Sequence, residues 1–161
     1  MIKIGILSDT HLYSITEEFR DNVRRAFSDC GVIIHAGDIT ELPILSVFEG
    51  KEVYAVCGNC CGSSSRSALP ETRKIVLGGY GIGICHGAGN RINIEGRMYN
   101  LFADMDCIIF GHTHQAVITY IGKTLLINPG EFRSTGRYGA GGTYAILTID
   151  KSGLNAAIHE L

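Results

Sequence analysis

The segment Cys107-Ile108-Ile109-Phe110-Gly111-His112-Thr113-His114 joins four apolar residues to two histidines that lie two positions apart. The apolar run predicts a buried strand, so both imidazoles would stand at its end, where each could bind a metal ion. An apolar run that ends in a metal-capable side chain recurs four times, at Ser8-Asp9-Thr10-His11, Ala36-Gly37-Asp38, Gly58-Asn59 and His86-Gly87. The carboxyl ends of parallel strands meet at one edge of a sheet, so we expect these side chains to converge.

The first third of the chain predicts alternating strands and helices. Apolar runs at 2–7, 32–35 and 53–56 predict three strands. Between them, Ser14-Ile15-Thr16-Glu17 predicts a capping box that opens a helix, and a short helix is expected over 43–48. This β-α-β-α-β order indicates a parallel sheet and an α/β fold.

The rest of the chain predicts mainly strands, separated by turn glycines. The polar stretch 62–67 has no periodicity and predicts a mobile surface loop beside Asn59. A helix is expected over 94–104. The expected strands span 73–77, 80–85, 107–110, 116–121, 124–127, 143–149 and 154–159.

Length and composition indicate one globular domain over residues 1–161. The chain is 45% hydrophobic and 19% charged, as a domain with a real core requires. Its 14 Lys and Arg against 16 Asp and Glu argue against a dedicated nucleic-acid or membrane binder. The first apolar run is far shorter than the ~20 residues that cross a bilayer. We expect a cytoplasmic protein whose six cysteines are reduced thiols.

The candidate ligands form a mixed oxygen and nitrogen set of seven side chains: Asp9, His11, Asp38, Asn59, His86, His112 and His114. Seven ligands are too many for one tetrahedral zinc ion and too rich in nitrogen for magnesium or calcium. Two divalent transition ions fit better, with Mn²⁺ first and Ni²⁺, Fe²⁺, Co²⁺ or Zn²⁺ as alternatives. No residues for an organic cofactor are predicted. Two ions beside only two carboxylates leave a positive site that attracts a phosphate.

In their order, these five motifs resemble the calcineurin-like metallophosphoesterase superfamily, and Gly58-Asn59-Cys60 resembles its small YfcE-type phosphodiesterase branch. The resemblance implies a four-layer αββα sandwich in which two mixed β-sheets are flanked by helices. It also implies a hydrolase that acts on a small phosphodiester or phosphate ester and uses a metal-bound hydroxide as the nucleophile. The implied ligands are Asp9, His11 and His114 for one ion and Asn59, His86 and His112 for the other, with Asp38 bridging and with Asp38, Asn59 and His86 as catalytic residues.

The chain departs from the superfamily pattern at three positions. Many members have a histidine, the expected proton donor, where this chain has Cys60, and the YfcE-like branch often follows with an aspartate where Cys61 stands. The usual Asn-Pro-Gly-Ser turn is Asn128-Pro129-Gly130-Glu131 here. These changes affect the expected leaving-group chemistry and substrate rather than the metals.

Two rival functions are weighed against the hydrolase. The first is a metal-binding protein-interaction scaffold on the same fold, the role assigned to a retromer subunit that resembles these enzymes; seven intact ligands argue against it. The second is redox chemistry at Cys57-Gly58-Asn59-Cys60, a spacing with weak specificity because Gly58-Asn59 already has a metal-site explanation. A homo-oligomer is compatible with either function.

Three further residues have open roles. His35 lies inside an apolar run, and a core or ligand-orienting role is favoured over direct chemistry. Arg133 and Arg137 are candidates for contacting a substrate phosphate, with solvated loop arginines as the equal alternative.

Overall fold

The computed structural model describes residues 1–133 and 141–161, which form ten strands, three α-helices and one 3₁₀ helix. The strands are β1 Ile2–Leu7, β2 Val32–His35, β3 Glu52–Ala55, β4 Thr72–Leu77, β5 Tyr80–Cys85, β6 Cys107–Ile109, β7 Val117–Ile121, β8 Thr124–Asn128, β9 Thr143–Asp150 and β10 Gly153–Glu160. The helices are α1 Glu17–Phe27, the 3₁₀ helix Leu42–Phe48, α2 Ser63–Ala68 and α3 Ile94–Leu101.

The strands form two mixed five-stranded sheets. The first has the order β10-β9-β1-β2-β3, in which β1, β2 and β3 are parallel and β9 and β10 run antiparallel to their neighbours. The second has the order β4-β5-β6-β8-β7, with β5, β6 and β8 parallel and the edge strands β4 and β7 antiparallel. The parallel strands lie next to one another, at the β3 side of the first sheet and in the centre of the second.

Alternation along the buried strands divides the apolar side chains between three clusters. Ile4 and Ile6 lie in the cluster between the two sheets, whereas Leu7 lies with Phe27 of α1 on the outer face of the first sheet. On the outer face of the second sheet, Met98 of α3 packs with Phe110. Helix, sheet, sheet and helix are thus stacked in order, which confirms the expected four-layer αββα sandwich. Burial of each isoleucine contributes about 2 kcal/mol of transfer free energy.

Helix α1 begins two residues later than the capping-box pattern indicates. The hydroxyl of Thr16, rather than that of Ser14, accepts a 3.1 Å hydrogen bond from the backbone N–H of Phe19. Glu17 and Glu18 occupy the first turn, and the last turn carries two arginines, so both ends suit the helix dipole. The predicted helix is confirmed with its apolar face on the first sheet.

The expectation of a mobile loop over 62–67 is wrong, because α2 occupies most of this stretch. Backbone hydrogen bonds fix it: Gly62 N–H donates to Thr40 O at 2.8 Å and Leu69 N–H to Ser65 O at 2.9 Å. Ser65 is fully buried in this contact. Sequence periodicity missed the helix because partners from another loop hold it.

The remaining boundaries differ from the predicted ones by small shifts at the ends. The largest is in α3, which ends at Leu101 rather than at 104. Among the described residues, no helix has the length and apolar character that crossing a bilayer requires.

Candidate metal centre

The seven predicted ligands lie in the segments that follow five parallel strands, β1, β2, β3, β5 and β6. These segments meet at one edge shared by the two sheets. In the first sheet, the turns after β1 and β2 are joined by the hydrogen bond from Asp9 N–H to Gly37 O at 3.0 Å. In the second sheet, Gly111 N–H donates to His86 O at 3.0 Å and joins the turns after β5 and β6. Both turn pairs face the same space between the sheets.

The backbone at this edge is in an unusual conformation. Of the six non-glycine residues with positive φ in the described chain, five are predicted ligands: Asp9, His11, Asp38, His112 and His114, with φ between 48° and 71°. A left-handed conformation costs an L-residue about 1–2 kcal/mol. Such strain clusters at functional sites, where the surrounding structure imposes it. The chain reverses sharply at each strand end and directs each ligand back toward the common space.

Glycines beside the ligands allow the backbone segments to approach closely. A Cβ atom on Gly37 would lie 2.6 Å from Cβ of His86, and one on Gly111 would lie 2.8 Å from Oδ2 of Asp9. Real Cβ atoms do not approach other atoms so closely, so a side chain at either position would push the two ligand turns apart.

Five of the predicted ligands form one cluster around two buried aspartates. We call Asp9, His11, Asp38, His86 and His114 the carboxylate cluster. Nε2 of His114 lies 3.2 Å from Oδ1 of Asp9. Oδ2 of Asp38 lies 3.3 Å from Nε2 of His86 and 3.6 Å from Nε2 of His11.

Several of these atoms lack a hydrogen-bond partner among the residues that the structure describes: Asp9 Oδ1, His11 Nε2 and His86 Nε2. Asp9 is fully buried and His86 is 2% exposed, so water does not solvate them freely. An unpaired buried carboxylate oxygen or imidazole nitrogen costs free energy. Divalent cations would satisfy these atoms, because Asp9 lies close to His11 and His114 on one side and to Asp38 and His86 on the other.

The other two ligands form a separate contact, the Asn59–His112 pair. Nδ1 of His112 lies 3.0 Å from Oδ1 of Asn59, and Nε2 lies 3.0 Å from the carbonyl oxygen of Gly89. Both ring nitrogens face oxygen acceptors, whereas a neutral imidazole has one N–H. If Nε2 donates to Gly89, Nδ1 and Asn59 Oδ1 present two lone pairs to the same point, as two ligands of one cation would.

The distances between ligand atoms match those between neighbouring ligands of one transition ion. With bonds of about 2.1 Å, adjacent ligands are about 3.0 Å apart at a right angle and about 3.5 Å apart at a tetrahedral angle. The pairs His112–Asn59, His114–Asp9 and His86–Asp38 lie at 3.0, 3.2 and 3.3 Å. The residues therefore fit divalent transition ions in both spacing and donor type.

Neighbouring groups fix the orientation of the ligands. Nδ1–H of His86 donates to the carbonyl oxygen of Ala36 at 2.8 Å, so the lone pair that can bind a metal ion is on Nε2. The Ser8 hydroxyl donates to Oδ2 of Asp9 at 2.6 Å, which leaves Oδ1 facing the cluster. Oδ1 of Asp38 accepts from Cys60 N–H at 2.7 Å, which leaves Oδ2 facing the cluster.

The cluster keeps both aspartates ionised. Burial raises the pKa of Asp38, but the nearby imidazole of His86 outweighs this effect and lowers the pKa to about 2. Burial likewise opposes ionisation of Asp9, whose pKa is lowered by His114 and His86. The carboxylates are therefore negative at neutral pH and available to a cation.

Matching of the chain to family models identifies its superfamily. Residues 2–152 match the calcineurin-like phosphoesterase superfamily domain. The chain belongs to this superfamily. The prediction from the ordered motifs is confirmed, including the likeness to small archaeal phosphoesterases.

Two curated members of the superfamily come from Methanocaldococcus jannaschii. A probable metallophosphoesterase is 35% identical over 133 residues, which cover 79% of this chain and 66% of that protein, slightly less than two thirds of it. A phosphodiesterase is 28% identical over 148 residues, covering 81% of this chain and 84% of that protein.

A crystal structure of Vps29 complexed with zinc from Entamoeba histolytica has the same fold. Its TM-score is 0.77 at 22% identity, over 99% of this chain and 93% of that one. At this identity the likeness concerns the fold alone. The phosphoesterase superfamily thus includes the chain, and its fold is shared with a Vps29 that has been crystallised with a metal ion.

An open cavity of about 300 Å³ lies against the metal centre. His11, Asp38, Asn59, His112 and His114 line its floor; its other walls come from Cys60, Arg91, Glu131 and Arg133. Arg133 was a sequence candidate, whereas Arg91 was missed because no motif surrounds it. Glu131 was noted only as a departure from the usual turn, and that departure was the available signal. Arg137 lies outside the described residues.

The other sequence candidates lie away from the cavity. His35 is fully buried, and its Nε2 lies 3.2 Å from the Thr10 hydroxyl. Burial lowers its pKa to about 3, so its ring is neutral. Cys57 and Cys61 are buried, and only Cys60 of the six free cysteines is exposed; all six lie within the described ranges.

Proposed function

We propose that this chain is a metal-dependent phosphoesterase, and more specifically a phosphodiesterase. The observation that carries the proposal is the convergence of carboxylate and imidazole atoms that lack a hydrogen-bond partner within residues 1–133 and 141–161, beneath an open cavity with two arginines on its walls. That combination suits two cations and an anionic substrate. The phosphodiesterase of Methanocaldococcus jannaschii supports the choice of a diester.

The proposed ligand sets follow the superfamily pattern. Asp9, His11 and His114 would hold one ion, and Asn59, His86 and His112 the other, with Asp38 between them. Two bound ions, Mn²⁺ first, would supply a hydroxide nucleophile at neutral pH and neutralise charge on the phosphoryl oxygens.

The chain's own groups position the substrate and limit the chemistry. Arg91 and Arg133 line the cavity and provide positive charge for a phosphate. Asp38, Asn59 and His86 are the proposed catalytic residues, as the likeness to the superfamily pattern implies. Burial, followed by the nearby Asp38 charge, raises the pKa of the Cys60 thiol, so this thiol is a weak proton donor to a leaving oxygen.

The proposal places this activity in one metallophosphoesterase domain over residues 1–161 of a cytoplasmic protein. Six free thiols suit a reducing compartment. Its partners would be small phosphodiesters or phosphate esters rather than nucleic acid or membrane.

The test uses protein stripped of metal by chelation and reloaded with one divalent ion at a time. Each form is assayed with bis(p-nitrophenyl) phosphate as the diester and p-nitrophenyl phosphate as the monoester. We expect hydrolysis that requires Mn²⁺, Ni²⁺, Co²⁺ or a similar ion, with the diester preferred. Failure of every ester with every ion would overturn the proposal.

The alternative is a metal-binding interaction scaffold, favoured by the fold shared with the zinc complex of Vps29. A scaffold on this fold would bind metal without hydrolysis. Metal stoichiometry measured beside activity separates the two: two ions without turnover supports the scaffold, and two ions with turnover supports the enzyme.

A further inference from the structure

Glu131 is a buried carboxylate at the wall of the metal centre. It follows β8 in the turn Asn128-Pro129-Gly130-Glu131 and is 5% exposed. Its Oε2 lies 3.0 Å from Nδ1 of His114, and its Oε1 lies 3.6 Å from the guanidinium of Arg133. One carboxylate thus contacts both a candidate metal ligand and an arginine that lines the cavity.

The backbone holds Glu131 in this place independently of its side chain. The Ser8 hydroxyl oxygen lies 2.9 Å from Gly130 O, and Phe132 N–H donates to Ser8 O at 3.0 Å. Thr143 N–H donates to Glu131 O at 3.0 Å. These contacts tie the turn to the end of β1, beside Asp9, and so place Glu131 against the carboxylate cluster.

We propose that Glu131 is a positioning residue that links the metal ligand His114 to the cavity residue Arg133. Glu131 accepts the Nδ1–H of His114, which leaves the lone pair on Nε2 free to bind a metal ion. That nitrogen faces Oδ1 of Asp9 at 3.2 Å. A carboxylate in this place also increases the basicity of the imidazole and hence its strength as a metal ligand. The usual serine of the turn carries no charge and cannot do the same.

The second contact extends the effect to the substrate. Arg133 is 42% exposed, and a long exposed side chain samples many rotamers unless a partner restrains it. Its ion pair with Glu131 holds the guanidinium at the cavity wall, where it would meet an oxygen of the phosphate. This part of the inference rests on the proposed function, whereas the link to His114 concerns metal binding alone.

The first experiment measures metal affinity rather than activity. Dissociation constants for Mn²⁺ are obtained by calorimetry on chelated wild type, Glu131→Gln and Glu131→Ser, with the exposed Glu160→Gln as the matched control. We expect the Gln variant to bind the ion about 10-fold more weakly and the Ser variant up to about 100-fold, as for other groups that orient metal ligands. Thermal unfolding of the metal-free forms checks that each variant is folded.

The second experiment measures inorganic phosphate binding to the Mn²⁺-saturated proteins. Arg133→Gln should weaken phosphate binding while leaving the Mn²⁺ dissociation constant within about twofold of wild type, because the arginine is not a metal ligand. The double variant with Glu131→Gln should weaken phosphate binding by less than the product of the single effects, since both act through one contact.

Two results would overturn the inference. A folded Glu131→Ser protein that binds Mn²⁺ as tightly as the Glu160→Gln control would remove the link to His114. Independent effects of Glu131 and Arg133 on phosphate binding would remove the link to the substrate. Absence of hydrolysis in all forms would instead count against the proposed enzyme, because neither measurement uses turnover.

Discussion

The carboxylate cluster and the Asn59–His112 pair are two parts of one candidate site, with His86 of the cluster proposed to share an ion with the pair. They differ in how ready they are for a metal ion. In the cluster, oxygen and nitrogen atoms already converge and have no other partner among the described residues. In the pair, the two ring nitrogens of His112 each face an oxygen atom, one on Asn59 and one on the Gly89 carbonyl. An ion entering the cluster meets buried atoms held by the surrounding turns, whereas one entering the pair meets the exposed side chain of Asn59.

This difference shows that burial and backbone hydrogen bonds, rather than the type of ligand, determine how ready a group of side chains is to bind a metal ion. The cluster ligands come from buried turns braced by hydrogen bonds between the sheets. Asn59 lies in an exposed loop, held by the bond from Arg66 of α2 to its carbonyl oxygen at 3.2 Å. Preorganised sites bind more tightly because less ordering accompanies binding. The two ions should therefore bind unequally.

The largest expected effect comes from Asp38, the proposed link between the two ions. Asp38→Ala should reduce bound metal from about two ions to at most one and lower kcat/KM by about 10³-fold or more, because the clamp on the phosphoryl group needs both ions. Elemental analysis and diester kinetics measure the two effects. Asp21→Ala, on the exposed face of α1, is the control. Full activity of Asp38→Ala with two ions bound would show that the two parts do not share this carboxylate.

The next effect concerns the leaving group at the pair's end of the site. Proton donation typically contributes 10²–10⁴-fold, and Cys60 is a weak donor, so wild type should favour aryl over alkyl esters. Cys60→His, alone or with Cys61→Asp, should raise activity selectively on alkyl esters. A series of esters of graded leaving-group pKa measures this, with Cys60→Ser as the control. A flat series for wild type would mean that another group already donates the proton.

The third prediction tests the two unequal parts directly. Titration of chelated protein with Co²⁺ should resolve two binding steps whose dissociation constants differ by about 10–100-fold. His112→Ala should lose the weaker step and keep the tighter one, and His11→Ala should do the reverse. Equal affinities in wild type would contradict the comparison.

The smallest effect is a pH dependence of stability from His35, beneath the cluster. Its pKa is about 3 in the folded protein against 6.5 in the unfolded chain. Between these values the unfolded chain binds the extra proton, so stability falls as pH drops from 6.5 toward 3, by up to about 1.4 kcal/mol per unit. Asp38, with a pKa of about 2 in the folded protein, loses its contribution as pH falls from 3.8 toward 2.

Urea unfolding of metal-free protein between pH 4 and 7 measures this slope. His35→Gln should flatten it relative to wild type, and the exposed His159→Gln should leave it unchanged. An unchanged slope in His35→Gln would assign the acid sensitivity to the histidines of the cluster instead.

Much of the fold was predictable because apolar runs mark buried strands without reference to tertiary contacts. The runs that became β1, β2 and β6 were located to within one residue. Helix α2 was missed because its start is fixed by a backbone hydrogen bond to Thr40 O, and not by an apolar periodicity of its own. Helix α3 ends early, at Leu101.

The candidate ligands were predictable because each follows an apolar run, and the structure brings them to one edge. Their roles as ligands stay a prediction. What the sequence could not provide was contact across the chain: Arg91 reaches the cavity without any motif, and Glu131 meets His114 from 17 positions away. Such contacts depend on how the two sheets are stacked, which no local pattern encodes.

The left-handed ligand positions have a consequence for how this fold can change over time. At His112 and His114, with φ of 71° and 62°, glycine would relieve backbone strain that a histidine must bear. A lineage that no longer needed the ions could therefore gain stability by losing its ligands one at a time. Metal chemistry and fold stability oppose each other at these turns, so drift without selection would erode the site first.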